Sequence, residues 1–217
     1  MDEEIKKVIK KTGTSILGIV CKDGIVMAAD RQVTAGNIVM SKTERKIIQI
    51  NDYLVIATCG NVSDAQFMAK ILSAELKLKE YNSGERPTVK EAANLLSMIA
   101  FRSIRQFSTI PSVVGILIGG YNEDGSFELY TIEPAGSILK VEDYDANFGS
   151  GMPYILGILE SEYKKDITTK EGIELAVKCL KASTQRDVGS GYGIDIFTIT
   201  KNEIKKVFEK EIIAELK

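Results

Sequence analysis

The chain predicts an α+β fold in which helices lie outside β-sheet. Three observations predict it. The apolar patterns run in the order strands, two helices, strands, two helices, strands. Hairpin signals join the strand pairs, so neighbouring strands run antiparallel. Finally, the regular β-α alternation of a doubly wound parallel sheet is missing. With 217 residues, 44% hydrophobic and 27% charged, the chain has ordinary globular composition and enough length for one substantial core. No repeat, linker or low-complexity stretch divides it, so one domain is expected.

Residues 14–21 and 24–33, rich in Ile and Val, read as two strands around Lys22-Asp23-Gly24, because Asp-Gly between such runs favours a tight turn. Residues 45–59 repeat the scheme around Asn51-Asp52. Residues 61–81 read as a helix, with Met68, Ile71, Leu72 and Leu76 near one face. Gly84 and Pro87 interrupt the chain, and Thr88 with Glu91 forms a capping box that opens a second helix. That helix carries Ala92, Leu95, Leu96, Met98 and Ile99 over much of its circumference and is expected to be largely buried. After Pro111, residues 112–121 form a strand apolar on both faces, as expected inside a sandwich. Residues 127–132 and 137–144 add two strands across turns at Gly125 and Pro134-Ala135-Gly136. A short helix is expected over 152–163, and a second capping box, Thr168 with Glu171, opens a helix striped by Ile173, Ala176, Val177 and Leu180. Residues 193–200 and 204–208 close the chain as a strand pair.

Composition excludes several chemistries. The chain has no His, which removes Ser-His-Asp and Cys-His catalysis and His-ligated metal. Cys21, Cys59 and Cys179 lie far apart, without a C-x-x-C pair, so they read as core residues rather than a zinc site or a disulfide framework. No metal and no cofactor is expected. A net charge of -2 gives no electrostatic case for nucleic acid, and no apolar stretch has the length of a membrane span. Residues 1–13 lack the apolar core of a signal peptide, so a cytoplasmic protein is expected.

Without His, a hydroxyl nucleophile needs another base, such as a Lys or a chain-terminal amine. An α-amino group has a reference pKa near ~8 and accepts a proton near neutrality. A Thr at a newly made N-terminus holds nucleophile and base in one residue. Gly13-Thr14 is a candidate junction, because Gly before the Thr permits unusual backbone geometry and leaves room for attack on its carbonyl.

Gly13-Thr14 followed by GIVCKDGIVMAADRQVTAGNIV, then Lys46 in TERKIIQI, CGNVSDAQ at 59–66, GSGMPYILGILESEY at 149–163 and QRDVGSGYGIDI at 185–196, resembles the archaeal type of proteasome β subunit from Gly13 to about Lys205. Each motif is weak alone, and their order and spacing make the likeness strong. The resemblance implies the N-terminal-nucleophile (Ntn) hydrolase fold, a four-layer α-β-β-α sandwich of two stacked antiparallel sheets flanked by helices. It implies a propeptide, residues 1–13, removed autocatalytically from a single catalytic domain, 14–217. Thr14 would be the nucleophile and Lys46 would favour its alkoxide. Asp30 would pair with Lys46, and Asp187, Ser150 and Ser190 would surround the Thr14 amine. The Gly60 N–H would donate to the oxyanion. Val33, Ile48, Thr58 and Val62 would line the substrate pocket, so cleavage after large apolar residues is expected, whereas Glu44 close to it would admit a basic residue.

The implied activity is a threonine endopeptidase that degrades unfolded protein. The implied partners are α subunits, other β subunits in seven-membered rings and a regulatory ATPase. Plain readings stand beside these roles. Thr14 also fits an ordinary strand, Asp30 and Lys46 a surface ion pair, Asp187 a helix end, and the two Gly-Ser-Gly runs mere turns. Thr12 follows Lys11 rather than Gly and is two residues out of register, so it is rejected as nucleophile. Ser15 and Ile16 stand where two Thr are usual and are discounted as conservative. Gln32 stands where the family has an Arg that orders the site, which is an argument for lower activity. Two alternative readings remain: a non-catalytic subunit that only builds the ring, and a simpler bacterial two-ring threonine peptidase.

Overall fold

The computed structural model describes residues 13–201 and 203–211; the expected leader, apart from Gly13, lies outside them. Twelve strands and four helices are present among these residues. One sheet is built from β1 (Ile16–Cys21), β2 (Gly24–Asp30), β10 (Tyr144–Asp145), β11 (Gly193–Thr200) and β12 (Glu203–Glu211), in the order β10-β1-β2-β11-β12. The other contains β5 (Ile47–Gln49), β6 (Leu54–Gly60), β7 (Val114–Tyr121), β8 (Phe127–Ile132) and β9 (Ile138–Val141), in chain order. All their pairings are antiparallel.

Alternation along the strands explains the layering. Ile16, Met27 and Ala29 face the second sheet and share a core with Leu117 and Leu129. Gly18 and Gly119 let the sheets approach, since a Cβ on Gly18 would lie 2.8 Å from Leu129 Cδ2 and one on Gly119 2.9 Å from Met27 Sδ. Leu17, Ile19, Val26 and Ala28 point the other way and bury Ile155, Leu159, Ala176 and Leu180 of α3 (Met152–Glu162) and α4 (Thr169–Arg186). Met68, Leu72 and Leu76 of α1 (Val62–Ser83) and Ala92 and Leu96 of α2 (Val89–Arg105) cover the outside of the second sheet. Each such fully buried Leu or Ile contributes about 1.5–3 kcal/mol. The result is helix, sheet, sheet, helix, as expected.

Both expected capping boxes are formed, at Thr88 with Glu91 and at Thr168 with Glu171. Every residue of β7 is buried, as its two-sided apolar pattern requires. Two expectations change. The strand expected through Val33 stops at Asp30, because Asp30 Oδ2 accepts the Gln32 N–H at 2.9 Å and turns the chain. A hairpin then follows, β3 (Val33–Ala35) with β4 (Ile38–Ser41), turning at Gly36-Asn37 with Gly36 at φ 65°. The second change concerns α2, whose Leu96 is buried but whose Met98 is 54% exposed, so only one face is covered.

Candidate active site

Asp30 closes β2 with its side chain fully buried. A buried carboxylate must be paired or it costs several kcal/mol. Here Oδ1 accepts Lys46 Nζ at 2.6 Å and the Ser15 N–H at 2.8 Å. Oδ2 accepts the Gln32 N–H at 2.9 Å and the Gly191 N–H at 3.0 Å. Burial pushes the Asp30 carboxyl up; the Lys46 ammonium and these N–H donors pull it down. Lys46 is itself buried, just before β5, so the surface-pair reading of these two residues does not apply.

Thr14 sits just before β1 and is buried. Its hydroxyl donates to the Gly13 carbonyl oxygen at 2.6 Å, and the Gly13 N–H donates to Thr34 Oγ1 at 2.7 Å. Glycines surround this segment for steric reasons. A Cβ on Gly149, at φ 100°, would lie 2.2 Å from the Thr14 carbonyl oxygen, and one on Gly151 1.9 Å from Ser15 Oγ. The two Gly-Ser-Gly runs are therefore turns, and they are also what allows the chain to pass against Thr14.

A relay of hydroxyls reaches Thr14 from the C-terminal end of α4. Ser150 Oγ accepts the Thr14 N–H at 3.2 Å and donates to Asp187 Oδ2 at 2.7 Å. Ser190 Oγ donates to the same oxygen at 2.5 Å, and the Gly189 N–H donates to Oδ1 at 3.1 Å. Asp187 also caps α4, donating its N–H to the Ser183 carbonyl at 2.7 Å. Its helix-end role and its place beside Thr14 coexist.

A cleft opens against Thr14. Val33, Ile48, Thr58, Gly60 and Val62 line it with Lys46, and Glu44, Arg45 and Gln66 complete the wall. Gly60 has φ 126°, and a Cβ there would lie 2.1 Å from the Val113 carbonyl oxygen, so only Gly fits between β6 and β7 at this point. Thus every candidate site residue carried over from the resemblance lines this cleft or joins the hydrogen-bond network beside it. Among the described residues, no group of three or more His, Cys, Asp or Glu is placed to hold a metal, and no helix is long and apolar enough to cross a membrane.

The contacts that other residues make at the site were not anticipated. Ser15, discounted from the sequence, has Oγ 2.9 Å from Ser183 Oγ and 2.8 Å from Ser190 Oγ, all three buried. Ser183 donates onward to the Leu180 carbonyl and Ser190 to Asp187, so the single Ser15 proton serves one neighbour or the other. Gln32 donates to the Val188 carbonyl at 2.7 Å and so ties the Asp187 loop to the end of β2. Cys21 and Cys179 are core residues, their thiols pushed up to about 12 chiefly by burial. Cys59 is different: burial pushes its thiol up, but Lys46 and the Thr14 side chain pull it down, which puts it beside the site.

Two stacked antiparallel sheets between helix pairs, with a Thr before the first strand facing a buried Lys–Asp pair, define the N-terminal-nucleophile hydrolase class of fold. The family described as "Proteasome subunit" matches residues 10–199. A "Proteasome subunit beta" of Nanoarchaeum equitans (strain Kin4-M) is 47% identical over 195 residues, covering 90% of this chain and 97% of that protein. Another of that name from Ferroglobus placidus (strain DSM 10642 / AEDII12DO) is 40% identical, with 93% of each chain covered. "Proteasome subunit beta 1" of Thermococcus onnurineus (strain NA1) is 40% identical over 96% of this chain and 98% of its own length. The chain belongs to the proteasome family, as a β subunit of the archaeal kind.

Proposed function

We propose that this chain is a threonine endopeptidase subunit that frees its own nucleophile by removing residues 1–13. The observation that carries the reading is the Thr14 hydroxyl held 2.6 Å from the carbonyl oxygen of Gly13, within a cleft that also presents the Lys46–Asp30 pair. In self-cleavage, Thr14 Oγ attacks the Gly13 carbonyl carbon. The C–O bond forms, the Gly13–Thr14 C–N bond breaks, and the hydroxyl proton ends on the departing nitrogen. Water then hydrolyses the ester, releasing the Gly13 carboxylate and restoring the hydroxyl.

The new Thr14 amine then takes the place of a catalytic base. Ser150 and Asp187 already contact this nitrogen or its neighbour in the relay, and would hold the amine toward Oγ. Lys46 beside the hydroxyl favours the alkoxide. In peptide hydrolysis, Oγ attacks the substrate carbonyl and the amine takes its proton and delivers it to the leaving amine. Water hydrolyses the acyl-enzyme ester. The Gly60 N–H is the proposed donor to the oxyanion.

The pocket walls of Val33, Ile48 and Val62 favour a large apolar residue before the cut. Membership of the family supports assembly with α subunits and with β neighbours in seven-membered rings, fed by an ATPase with unfolded protein. The free thiols of Cys21, Cys59 and Cys179 fit work in a reducing cytoplasm. The test is intact mass and N-terminal sequencing after co-assembly with the α partner. A mature chain beginning at Thr14, with Thr14→Ala assembling but keeping Met1 and hydrolysing nothing, is the expected result. An intact Met1 and no peptide hydrolysis in the assembled wild type would instead make this a ring-building subunit.

A further inference from the structure

Asp30 and Lys46 are each followed or preceded by an arginine, Arg31 and Arg45, and both arginines reach one carboxylate, Glu209 on the final strand β12. Arg31 is buried and chelates Asp195 of β11, Nε to Oδ2 at 2.9 Å and a terminal nitrogen to Oδ1 at 2.6 Å. The same terminal nitrogen meets Glu209 Oε1, which lies 3.8 Å from Arg45. Lys206 completes the cluster, 2.9 Å from Asp195 and 2.8 Å from Glu209. The backbone joins the same two segments, the Glu44 N–H donating to the Arg31 carbonyl at 3.2 Å.

The chain segments that carry Asp30 and Lys46 are therefore zipped together three ways: by the buried ion pair, by one backbone bond, and by a carboxylate from a strand more than 150 residues downstream of Lys46. We propose that Glu209 is a positioning residue, a clamp from the last strand that fixes the Lys46 segment against Asp30 and so sets the distance from Lys46 to the nucleophile. It touches no reacting atom. Its effect runs through Arg31 and Arg45, which hold the ends of two segments whose misplacement by about 1 Å is enough to cost on the order of a hundredfold in rate. The neighbouring cations, Lys206 foremost and then Arg31, hold the Glu209 carboxyl at about 2, so the clamp is charged throughout the neutral range.

The inference rests on the proposed peptidase reading, and the experiment separates the two. Glu209→Gln, with Lys205→Gln as its control, an exposed residue of the same strand outside the cluster, is assembled with α subunits and assayed for peptide hydrolysis and melting temperature. The expected result for Glu209→Gln is a kcat lower by roughly threefold or more with KM unchanged. Melting temperature should be unchanged, and Lys205→Gln should keep the wild-type kcat. A wild-type kcat in Glu209→Gln overturns the proposal. So does a parallel loss of kcat and melting temperature in Glu209→Gln, which would make the cluster a strand anchor only. A second readout does not need activity: the acetylation rate of Lys46 by acetic anhydride, followed by mass spectrometry. It should rise severalfold in Glu209→Gln, and an unchanged rate overturns the clamp. A wild type that hydrolyses nothing sinks the peptidase reading alone, and Lys46 labelling still decides the clamp.

Discussion

Gly13 and Gly189 meet backbone to backbone. A Cβ built on Gly13 would lie 2.1 Å from Gly189 Cα, and one on Gly189 would lie 2.4 Å from Gly13 Cα. The Gly13–Thr14 peptide is thus seated against a second glycine, while Thr34 accepts the N–H before it and Ser150 accepts its own N–H. Gly189→Ala must displace the peptide or its own loop, which carries Ser190 and is tied to Asp187. Overpacking of this kind costs about 1–3 kcal/mol. Processing at Gly13–Thr14 should slow by roughly tenfold or more, since 1.36 kcal/mol is one decade in rate. Mass spectrometry of the assembled particle over time measures it.

Lys46→Met removes the strongest pull on the Asp30 carboxyl and leaves burial to dominate. Breaking a buried pair on one side typically costs about 3–5 kcal/mol. The pH dependence has a definite sign. The Asp30 pKa in the folded variant lies above its unfolded value of about 3.9, so the variant is most stable below that pH and loses stability as pH rises through the folded value. Thermal melts from acid to neutral pH should show a decline that is much weaker in the wild type. Peptide hydrolysis should be lost.

Ser15→Ala deletes the hydroxyl that joins Ser183 to Ser190. Both partners are buried, and Ser183 keeps its bond to Leu180 while Ser190 keeps its bond to Asp187. The stability loss should therefore be modest, about 1–2 kcal/mol by denaturant titration. A several-fold fall in kcat should accompany it, because Ser190 loses one of the contacts that orient it. This is the position whose substitution looked conservative in one dimension.

The α2 cap gives a pH prediction away from the site. Lys79 and the Thr88 N–H hold the Glu91 carboxyl at about 2. A depressed carboxyl contributes stability that is present above its unfolded pKa, about 4.3, and lost as pH falls through the folded value. Wild-type stability should drop between these limits, and Glu91→Gln should flatten that part of the curve. Because Glu91 and Lys79 are both about half exposed, salt should shrink the effect. Thr88→Ala should cost about 1 kcal/mol at neutral pH by removing the N-cap acceptor.

The cleft should set cleavage preference. Val62→Asp puts a carboxylate among Val33 and Ile48, against an apolar side chain before the cut. For a fluorogenic peptide with Leu or Tyr there, kcat/KM should fall by roughly tenfold or more, since a buried charge without a partner is costly. A parallel loss on peptides with a basic residue at that position would show a general defect instead.

The strands, the helices and their caps were legible because their causes are local. Asp23-Gly24 turns a hairpin, Thr88 with Glu91 starts a helix, and the two-sided apolar run of 114–121 belongs between layers. The β3–β4 hairpin escaped although Gly36-Asn37 is a recognised two-residue turn, because Ile38 and Met40 are exposed and give no alternation of core and solvent to read. Met98 escaped for the converse reason: an apolar residue on a helix does not say whether anything covers it.

For the site, the sequence by itself determined which chemistry was available. The absence of His left an amine as base, and Gly13-Thr14, Asp30, Lys46 and the Gly-Ser-Gly runs carried the resemblance that pointed to it. Only the tertiary structure decided what holds those groups in place. Ser15 finds Ser183 across 168 positions, Arg31 finds Asp195 across 164, and Gly13 rests on Gly189. Such partners are chosen by how two sheets stack and where β2, the Asp187 loop and β12 converge. A periodicity of 2 or 3.6 residues reports which face a side chain occupies, but not which distant side chain occupies the same face.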